Sequence, residues 1–371
     1  MARVSVVVPI YNVQGYLRQC LDSLAKQSLE DIEIICVNDG STDSSLDIIM
    51  EYVNSDSRFK VIDKANSGYG NTVNMGFDLA SGEYIGIVES DDFVEPHMLE
   101  RLYSCAKESS LDVCKGGFYY YYSAPQERKI PCVIAPNYLY DKVFCPSQDL
   151  KSLKKKIALF NIKPTVWSAI YKSDFIKQSG IRFTETPGAS FQDTAFSFKV
   201  WAAAKRVMLL KECLLCYRQD NEASSINSDA KVFSVCYEYK EVERFLKEKG
   251  LEDDDLTVVK NVLKFNAYLW NYGRLNEERA KEFILQVSKE LKDDMSEGKC
   301  PKKAFSWHKH RRLKFIISDP LAFHERRQLE KSEERPTTEA DEQGGTLRRW
   351  VRRLRKNGIR YTVKSFFRKL K

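Results

Sequence analysis

The sequence predicts an α/β fold in which a mostly parallel sheet is flanked by helices. Over the first hundred residues, short apolar runs alternate with stretches of helical periodicity. The run VSVVVPI is apolar and rich in β-branched residues, which is typical of a strand buried on both faces. Polar clusters follow three of the predicted strands. Because ligands of such sheets bind beyond the carboxyl ends of the strands, we expect these clusters to share one edge and form a site.

The predicted elements of this first part alternate along the chain. Strands are predicted at residues 4–10, 32–37, 59–62 and 84–88. Helices are predicted at residues 15–28, 41–53, 70–81 and 96–108. The first helix places apolar side chains on one face, the second begins with capping residues, and the fourth has Pro96 in its first turn.

The alternation weakens after residue 111. A strand is predicted at residues 113–123, a helix at 190–204, a strand-rich stretch at 205–219, and mainly helices at 229–293. A lone CxxC pair, Cys213 and Cys216, lacks a second pair at zinc-ligand spacing, so we interpret the cysteines as buried, reduced thiols.

Charge is distributed unevenly along the 371 residues. Residues 347–371 hold eleven of the 59 Lys and Arg and no Asp or Glu, which leaves 48 basic against 52 acidic side chains elsewhere. The chain therefore has a mildly acidic body and a basic tail. Because the positive charge is not spread over the whole protein, we expect no nucleic-acid partner. No apolar run approaches membrane-spanning length, and Pro9 interrupts the N-terminal run, so we expect no secretion signal and a cytoplasmic protein.

Two acidic clusters carry the chemistry that the sequence predicts. NDGSTD follows the second strand, and ESDD, residues 89–92, follows the fourth. Carboxylates that share an edge repel unless a cation joins them, and Mg²⁺ or Mn²⁺ is often held by one or two carboxylates together with substrate phosphates. The pattern thus favours a metal–diphosphate ligand. Asp39 could bind a nucleobase or ribose there, or could only cap the following helix.

Three segments, VSVVVPIYNVQGYLRQCLDSL, IEIICVNDGSTDSS and GEYIGIVESDDFVEPHML, resemble the N-terminal half of family 2 glycosyltransferases. The resemblance resumes at VWSAIYKSDFIKQSGIRF and GASFQDTAFSFKVW. It implies a GT-A, Rossmann-like domain over residues 1–225, with a nucleotide-sugar half (1–110) and an acceptor half (111–225). We expect a helical region at 226–324, a polar linker at 325–346 and a basic amphipathic tail at 347–371.

The resemblance also implies roles for individual residues. Asp193 matches the catalytic base, and Asp91 matches the ligand of a Mn²⁺ or Mg²⁺ cofactor. For Asp193 an alternative stays open, namely that it is an ordinary first-turn aspartate favoured by the helix dipole. Nucleotide-sugar contacts are implied for Pro9, Tyr11, Asn12, Asp39, Asn74, Glu89, Ser90, Asp91, Asp92 and Arg218. Arg218 could instead be a surface residue at a strand end.

The implied activity is metal-dependent, inverting transfer of a sugar, most simply from a UDP-sugar, to a glycan or glycolipid acceptor in bacterial surface polysaccharide synthesis. The chain departs from the family pattern at Glu89, which replaces an Asp, at Val73, which replaces an Arg, and at Gln192, which replaces a Glu. These departures keep open an inactive nucleotide-sugar-binding or scaffold protein. A nucleotidyltransferase-like enzyme is the other alternative, although the loop after the first strand lacks a basic residue before Arg18.

Two further features, an aromatic group and the basic tail, each allow more than one interpretation. An acceptor platform could be formed by Trp167, Tyr119 and Tyr121, but we interpret most of them as core residues. In the tail, apolar residues recur at helical spacing among the cations, which is typical of an amphipathic helix on anionic lipid. We therefore expect peripheral attachment to the inner face of the cell membrane, with docking on the acidic body or a nucleic-acid contact as the alternatives.

Overall fold

The structure, a computed structural model, describes residues 2–186, 188, 190–221 and 232–334, with side chains described as far as residue 330. The chain divides into a larger compact unit that ends at Ile317 and a second unit that begins at Ser318. No helix in these ranges is both long enough and apolar enough to cross a bilayer.

Nine strands of the described chain form one sheet. The strands are β1 (Val4–Ile10), β2 (Ile32–Asn38), β3 (Phe59–Asp63), β4 (Tyr84–Ile87), β5 (Phe93–Val94), β6 (Val113–Tyr122), β7 (Arg128–Cys132), β8 (Ala169–Lys172) and β9 (Val207–Arg218). They lie in the order β3-β2-β1-β4-β8-β6-β9-β5, and β7 pairs with β6 as a side branch.

Helices of the first unit surround this sheet and continue after it. They are α1 (Gln14–Ala25), α2 (Ser45–Ser55), α3 (Tyr69–Leu79), α4 (Met98–Glu108), α5 (Leu153–Phe160), α6 (Ser173–Ser179), α7 (Gln192–Ala203), α8 (Ser234–Glu248), α9 (Asp254–Arg274), α10 (Glu277–Ser296) and α11 (Trp307–Ser318). The second unit contains α12 (Pro320–Glu334).

The α/β alternation predicted for the first part is confirmed. Strands β3, β2, β1 and β4 are mutually parallel, and a helix follows each of the first three. Every residue of β1 and β2 is buried, as the continuous apolar runs predicted. The buried face of α1 consists of the four predicted residues, Leu17, Cys20, Leu21 and Leu24.

Beyond β4 the sheet becomes mixed, which refines the mostly parallel sheet that the sequence predicted. Strand β8 is antiparallel to both β4 and β6, whereas β6 and β9 are parallel. The antiparallel pair β6–β7 is joined by a short loop, and such a connection reverses the chain where a crossover helix would keep strands parallel. All ten cysteines are free thiols in the structure, but the interpretation as buried holds for only seven of them, because Cys105, Cys132 and Cys213 are half-buried.

Two predicted boundaries differ from the structure. The linker expected at residues 325–346 is wrong for its first part, because α12 continues to Glu334; its charges form i,i+3 and i,i+4 pairs such as Arg326–Glu330 that support a helix without apolar periodicity. The boundary expected near residue 225 does not separate compact units, because α8 packs against α7 within the first unit. Residues 335–371, including the basic tail, lie outside the described residues.

We expect Gly70→Ala to destabilise the protein by at least about 2 kcal/mol, because a Cβ at this position would lie 2.1 Å from the backbone oxygen of Thr184, which cannot rotate away. Gly15→Ala is the matched control: both glycines are second residues of helices, but a Cβ at Gly15 meets nothing within 4 Å. That control should be neutral or more stable by about 0.5–1 kcal/mol. Urea unfolding followed by circular dichroism measures both, and equal stabilities would contradict the close approach.

Candidate active site

The acidic cluster predicted after the fourth strand forms a tight turn, which we call the acidic turn (residues 89–92). Its entry is fixed to the sheet, because the N–H of Val88 donates to the carbonyl of Val7 at 3.0 Å. Within the turn, the N–H of Asp92 donates to the carbonyl of Glu89 at 3.0 Å. The short strand β5 follows at once and pairs with β9. The turn is therefore clamped between the parallel half of the sheet and its mixed half.

Glu89 faces other acidic groups with one hydrogen-bond donor beside it. The hydroxyl of Tyr69 donates to Oε1 of Glu89 at 2.6 Å. Burial, together with the charges of Asp91 and Asp193, raises the pKa of Glu89 to about 8 against the opposing hydrogen bond from Tyr69. The three carboxylates therefore lie within electrostatic reach of one another, although Asp193 is a hundred residues away along the chain.

The two aspartates of the acidic turn have different surroundings. Asp91 is half-buried, and its Oδ2 accepts a hydrogen bond from Nδ2 of Asn221 at 2.8 Å. Asp92 is buried, and its Oδ1 accepts from the backbone N–H of Arg218 at 2.8 Å, while Oδ2 has no hydrogen-bond partner among the described residues. Burial, and then the charge of Asp91, raise the pKa of Asp92 well above its ordinary value. Asp92 thus holds β9 against the turn, and Asp91 is the aspartate open to a ligand.

Arg218 is buried behind the turn, so the alternative of a surface arginine is wrong. Its Nε donates to the carbonyl of Asp91 at 2.9 Å, and Nη2 donates to the side chain of Gln19. The guanidinium also lies over the rings of Tyr16 and Tyr121, at 4.8 and 5.0 Å from their centroids. With its donors and faces engaged in this way, Arg218 positions the backbone of the acidic turn.

Asp193 lies in the first turn of α7 and is half-buried. Its Oδ1 accepts hydrogen bonds from the backbone N–H and the hydroxyl of Thr194, at 2.7 and 3.3 Å. Burial nevertheless raises the pKa of Asp193 to about 6. A carboxylate with such a pKa is ionised near neutral pH and is a better proton acceptor than an exposed aspartate.

Gln192, the departure that precedes Asp193, supports the loop before α7. Its amide donates to Oγ1 of Thr186 at 2.9 Å and to the carbonyl of Gly188 at 3.0 Å, and its oxygen accepts from the N–H of Ser190. A neutral amide can donate and accept in this way, which a carboxylate cannot. Gln192 therefore holds the loop with a set of hydrogen bonds that an ionised glutamate could not form.

Asp39 lies at the end of β2, on the same edge as the acidic turn, but its oxygens are engaged by the following loop. Oδ1 accepts from the N–H of Ser67 at 2.8 Å and Oδ2 from the N–H of Gly68 at 3.0 Å. Lys64 forms a buried ion pair with the same carboxylate. The sequence reasoning missed Lys64; its only signal was a basic residue directly after the third strand.

The residues of the first segment have separate positions at this edge. Pro9 is buried inside β1, whereas the ring of Tyr11 is 53% exposed. Asn12 adopts a left-handed conformation with φ of 49°, and its Oδ1 accepts from the N–H of Thr42 at 2.8 Å. In return, the N–H of Asn12 donates to the hydroxyl of Ser41. Asn12 thereby ties the loop after β1 to the loop after β2.

Asn74 forms hydrogen bonds with the segment at residues 183–185. Its side-chain amide donates to the carbonyl of Phe183 at 3.0 Å and to Oε1 of Glu185 at 2.9 Å, and its oxygen accepts from the N–H of Phe183. It fixes the segment that leads to Asp193. Ser90, by contrast, is a buried member of the acidic turn itself.

The residues around the acidic turn fit a divalent cation that is shared with a ligand. No group of three or more His, Cys, Asp or Glu in residues 2–186, 188, 190–221 and 232–334 is arranged to hold a metal alone. The carboxylates of Glu89 and Asp91 are nevertheless close enough for one charge to raise the pKa of the other, and a cation would relieve that repulsion. Mg²⁺ and Mn²⁺ commonly take one or two carboxylates and complete their shell with substrate phosphates and water.

Comparison with known proteins assigns the fold that carries this site. The sequence model described as Glycosyl transferase family 2 matches residues 5–160, which contain the acidic turn and Asp39. Residues 5–160 are a family 2 glycosyltransferase domain. The resemblance of the N-terminal segments is thereby confirmed.

Curated relatives of this family 2 domain are bacterial. An uncharacterised glycosyltransferase of Bacillus subtilis, EpsJ, is 34% identical over 217 residues, which are 58% of this chain and 61% of EpsJ. A poly(ribitol-phosphate) beta-glucosyltransferase of Bacillus spizizenii is 31% identical over 230 residues, 60% of this chain and 34% of that protein. The chain thus matches less than two thirds of the length of each of these relatives.

The fold extends over more of the chain than the family 2 match. The crystal structure of S. aureus TarS residues 1–349 in complex with UDP-GlcNAc has a TM-score of 0.68, covering 87% of this chain and 89% of that chain at 19% identity. At this identity the likeness shows the fold alone. It confirms the GT-A-like architecture, including helices that follow the sheet.

We expect Glu89→Gln to raise the melting temperature at pH 9 in EDTA and to leave it nearly unchanged at pH 5. The pKa of Glu89 rises in the folded state to about 8, so the stability that its protonated form contributes is complete below its ordinary value of 4.5 and is lost as pH rises through about 8. Glutamine keeps an oxygen for the Tyr69 hydroxyl and carries no charge.

Scanning calorimetry at the two pH values measures this effect. Glu127→Gln, at an exposed glutamate, is the matched control and should follow the wild type at both. An equal gain for Glu89→Gln at pH 5 and pH 9 would contradict the proposed burial of charge.

Proposed function

We propose that the chain transfers a sugar from a nucleotide-diphosphate sugar to a glycan or glycolipid acceptor. The observation that carries the proposal is the convergence of the acidic turn with Asp193, which comes from a distant helix and has a raised pKa. Transfer requires a site for the diphosphate and a separate base for the acceptor hydroxyl. In this proposal the sheet edge holds the diphosphate, and α7 provides the base.

In this proposal Asp193 is the general base of an inverting transfer. The acceptor hydroxyl attacks the anomeric carbon while its proton passes to the carboxylate of Asp193, and the bond to the diphosphate breaks on the opposite face of the sugar. The pKa of about 6 supports the role, because the group is largely ionised at neutral pH and still basic enough to hold the proton. An ordinary first-turn aspartate at a helix start would be expected to have a lower pKa.

The diphosphate would lie at the acidic turn, with Asp91 and the longer Glu89 as the residues that hold Mn²⁺ or Mg²⁺. A bound cation supplies neutralisation of the charge that develops on the departing diphosphate. Tyr69 orients Glu89 through the 2.6 Å hydrogen bond, and Arg218 fixes the backbone of Asp91. Arg218 therefore acts on the donor site indirectly in this proposal.

The nucleoside would occupy the edge formed by the loops after β1 and β2. Tyr11 is exposed there and can cover a base, whereas Asn12 organises the loop. Asp39 is buried and paired with Lys64, so a base or ribose that hydrogen-bonds to it would share or displace that pair. We propose UDP as the nucleotide, because a neighbour of the same fold is described in complex with UDP-GlcNAc.

The biological setting proposed is bacterial surface polysaccharide synthesis at the cytoplasmic face of the membrane. The bacterial relatives support the class of pathway, and one of them is named for glucosyl transfer to poly(ribitol-phosphate). The eleven cations of residues 347–371 support attachment to anionic lipid, which would bring the domain to a lipid-linked acceptor.

We expect Asp193→Asn to lower transfer at least about 100-fold, because general base catalysis contributes about 10²–10⁴ in rate, while nucleotide binding stays unchanged. Release of UDP from UDP-glucose, UDP-galactose and UDP-N-acetylglucosamine measures turnover, and titration calorimetry with UDP measures binding. Asp174→Asn is the matched control, since Asp174 is also a first-turn aspartate, in α6, and is exposed.

Full activity of Asp193→Asn would remove Asp193 from the mechanism. The same calorimetry with and without Mn²⁺ tests the cation: we expect Mn²⁺ to strengthen UDP binding by the wild type and not by Asp91→Asn. Equal binding by the wild type in Mn²⁺ and in EDTA would contradict the metal part of the proposal.

We expect a chain ending at residue 344 to lose sedimentation with vesicles of phosphatidylglycerol and phosphatidylcholine, and the full chain to lose it at high salt, because the attraction of the basic tail to anionic lipid is screened. Vesicles of phosphatidylcholine alone are the control. Unchanged sedimentation of the shortened chain would exclude the tail as the membrane contact.

A further inference from the structure

An exposed aromatic cluster lies beside the proposed base. Trp270, on α9, is 53% exposed, and its ring meets that of Phe191 edge-on, with 5.5 Å between the centroids and 84° between the planes. The guanidinium carbon of Arg274, one helical turn further, lies 5.4 Å from the Phe191 ring centroid and 5.5 Å from that of Trp270. We call these three side chains the Trp270 platform.

Two of the four tryptophans in the described residues are exposed, and Trp270 is one of them. Trp167 and Trp201 are buried there, at 7% and 4% exposure, whereas Trp270 and Trp307 are exposed. The ring of Trp270 is fixed by an aromatic edge and a cation, so its orientation is set before any ligand arrives. A large apolar surface that is held rigid and left in water is typical of a binding surface.

The chain connects the platform directly to the base. Phe191 is the N-cap of α7 and stands two residues before Asp193, so their Cα atoms are roughly 5–7 Å apart. Phe191 also has φ of 63°, a left-handed conformation that is unfavourable for a side chain of this size. That backbone conformation presents the Phe191 ring to α9, and backbone strain of this kind is concentrated at functional sites.

Helix α8 links the surroundings of Asp193 to α9, the helix that carries Trp270. Burial raises the pKa of Tyr239 and of Glu238, both on α8, and the charge of Asp193 raises both as well. Tyr239 in turn packs edge-on against Tyr268 of α9, with 6.3 Å between ring centroids. Asp193 therefore lies near α8, and α8 packs against α9 through this aromatic pair.

We infer that the Trp270 platform is a stacking subsite for a sugar ring of the acceptor glycan, adjacent to the unit whose hydroxyl Asp193 deprotonates. The inference rests on the proposed function and specifies its acceptor as a carbohydrate of at least two units. The reacting unit lies at Asp193, and the platform binds the apolar C–H face of the pyranose ring next to it. The indole supplies a flat apolar surface that matches this face. Binding energy from such a remote unit holds the reacting hydroxyl in place.

The test compares Trp270→Ala, Trp270→Phe and the wild type. Trp307→Ala is the matched control, because Trp307 is 60% exposed and also carries an arginine, Arg311, 5.4 Å from its ring. Chitopentaose, cellopentaose and maltopentaose serve as probes, with UDP-glucose, UDP-galactose and UDP-N-acetylglucosamine as donors. Saturation-transfer NMR measures oligosaccharide binding, mass spectrometry measures transfer, and UDP release without acceptor measures donor hydrolysis.

For the oligosaccharide that the wild type uses or binds best, Trp270→Ala should weaken the acceptor KM or Kd about tenfold. Donor hydrolysis should stay within twofold of the wild type, Trp270→Phe should retain most of the affinity, and Trp307→Ala should match the wild type. A tenfold change corresponds to about 1.4 kcal/mol.

Three results would overturn the inference and leave the proposed function standing. The first is acceptor affinity of Trp270→Ala within twofold of the wild type. The second is a loss of donor hydrolysis equal to the loss of transfer, which would mean that Trp270 acts by supporting Phe191 and Asp193. The third is a wild type that hydrolyses a donor but neither binds nor glycosylates any probe.

Failure of the proposed function itself gives a different result. The wild type would then turn over none of the three donors, with or without acceptor, and the inference would fall with it.

Loss of self-association in Trp270→Ala, measured by analytical ultracentrifugation, would also overturn the inference, because the platform would then be a contact between copies of the chain.

Discussion

The structure depends on holding mutually repelling carboxylates at the end of a buried strand. Glu89 and Asp92 are placed where burial and neighbouring negative charge both raise their pKa values. Such an arrangement is unfavourable unless the surroundings fix it. The acidic turn is fixed by β4 and β5 on its two sides and by Arg218 behind it. Carboxylates that cannot move apart are the feature on which the proposed cation site rests.

Several residues expected to contact the donor also hold the loops of the site together. Asp39 binds the loop at residues 64–68, Asn12 binds the loop after β2, and Asn74 binds the segment that leads to α7. These ties link parts of the chain that are up to about a hundred residues apart. A site whose supporting groups are already hydrogen-bonded is pre-organised, which lowers the cost of ordering it when a ligand binds.

The helices after the sheet belong to the site as well as to the fold. Glu238 of α8 accepts a hydrogen bond from Thr184 at 2.9 Å, and Thr184 lies in the segment that Asn74 holds. The segment that leads to Asp193 is thus held both by the sheet domain and by the helices that follow it. The likeness to a structure of the same fold also extends past the family 2 match, over 87% of the chain.

The sequence by itself determined the parallel half of the sheet and the acidic turn. Buried parallel strands need continuous apolar runs, so the polar residues that follow these runs fall at the strand ends. Ligands of such sheets bind at the same ends, and the sequence pattern therefore predicts the location of the site. Tertiary structure alone decided which groups surround the carboxylates. Tyr69 beside Glu89, Lys64 on Asp39, and Trp270 beside Phe191 bring together residues on different elements, and side-chain periodicity within one element cannot specify the neighbour on another. The raised pKa of Asp193 likewise comes from burial by packing, which an aspartate in a first helical turn does not reveal in its own sequence.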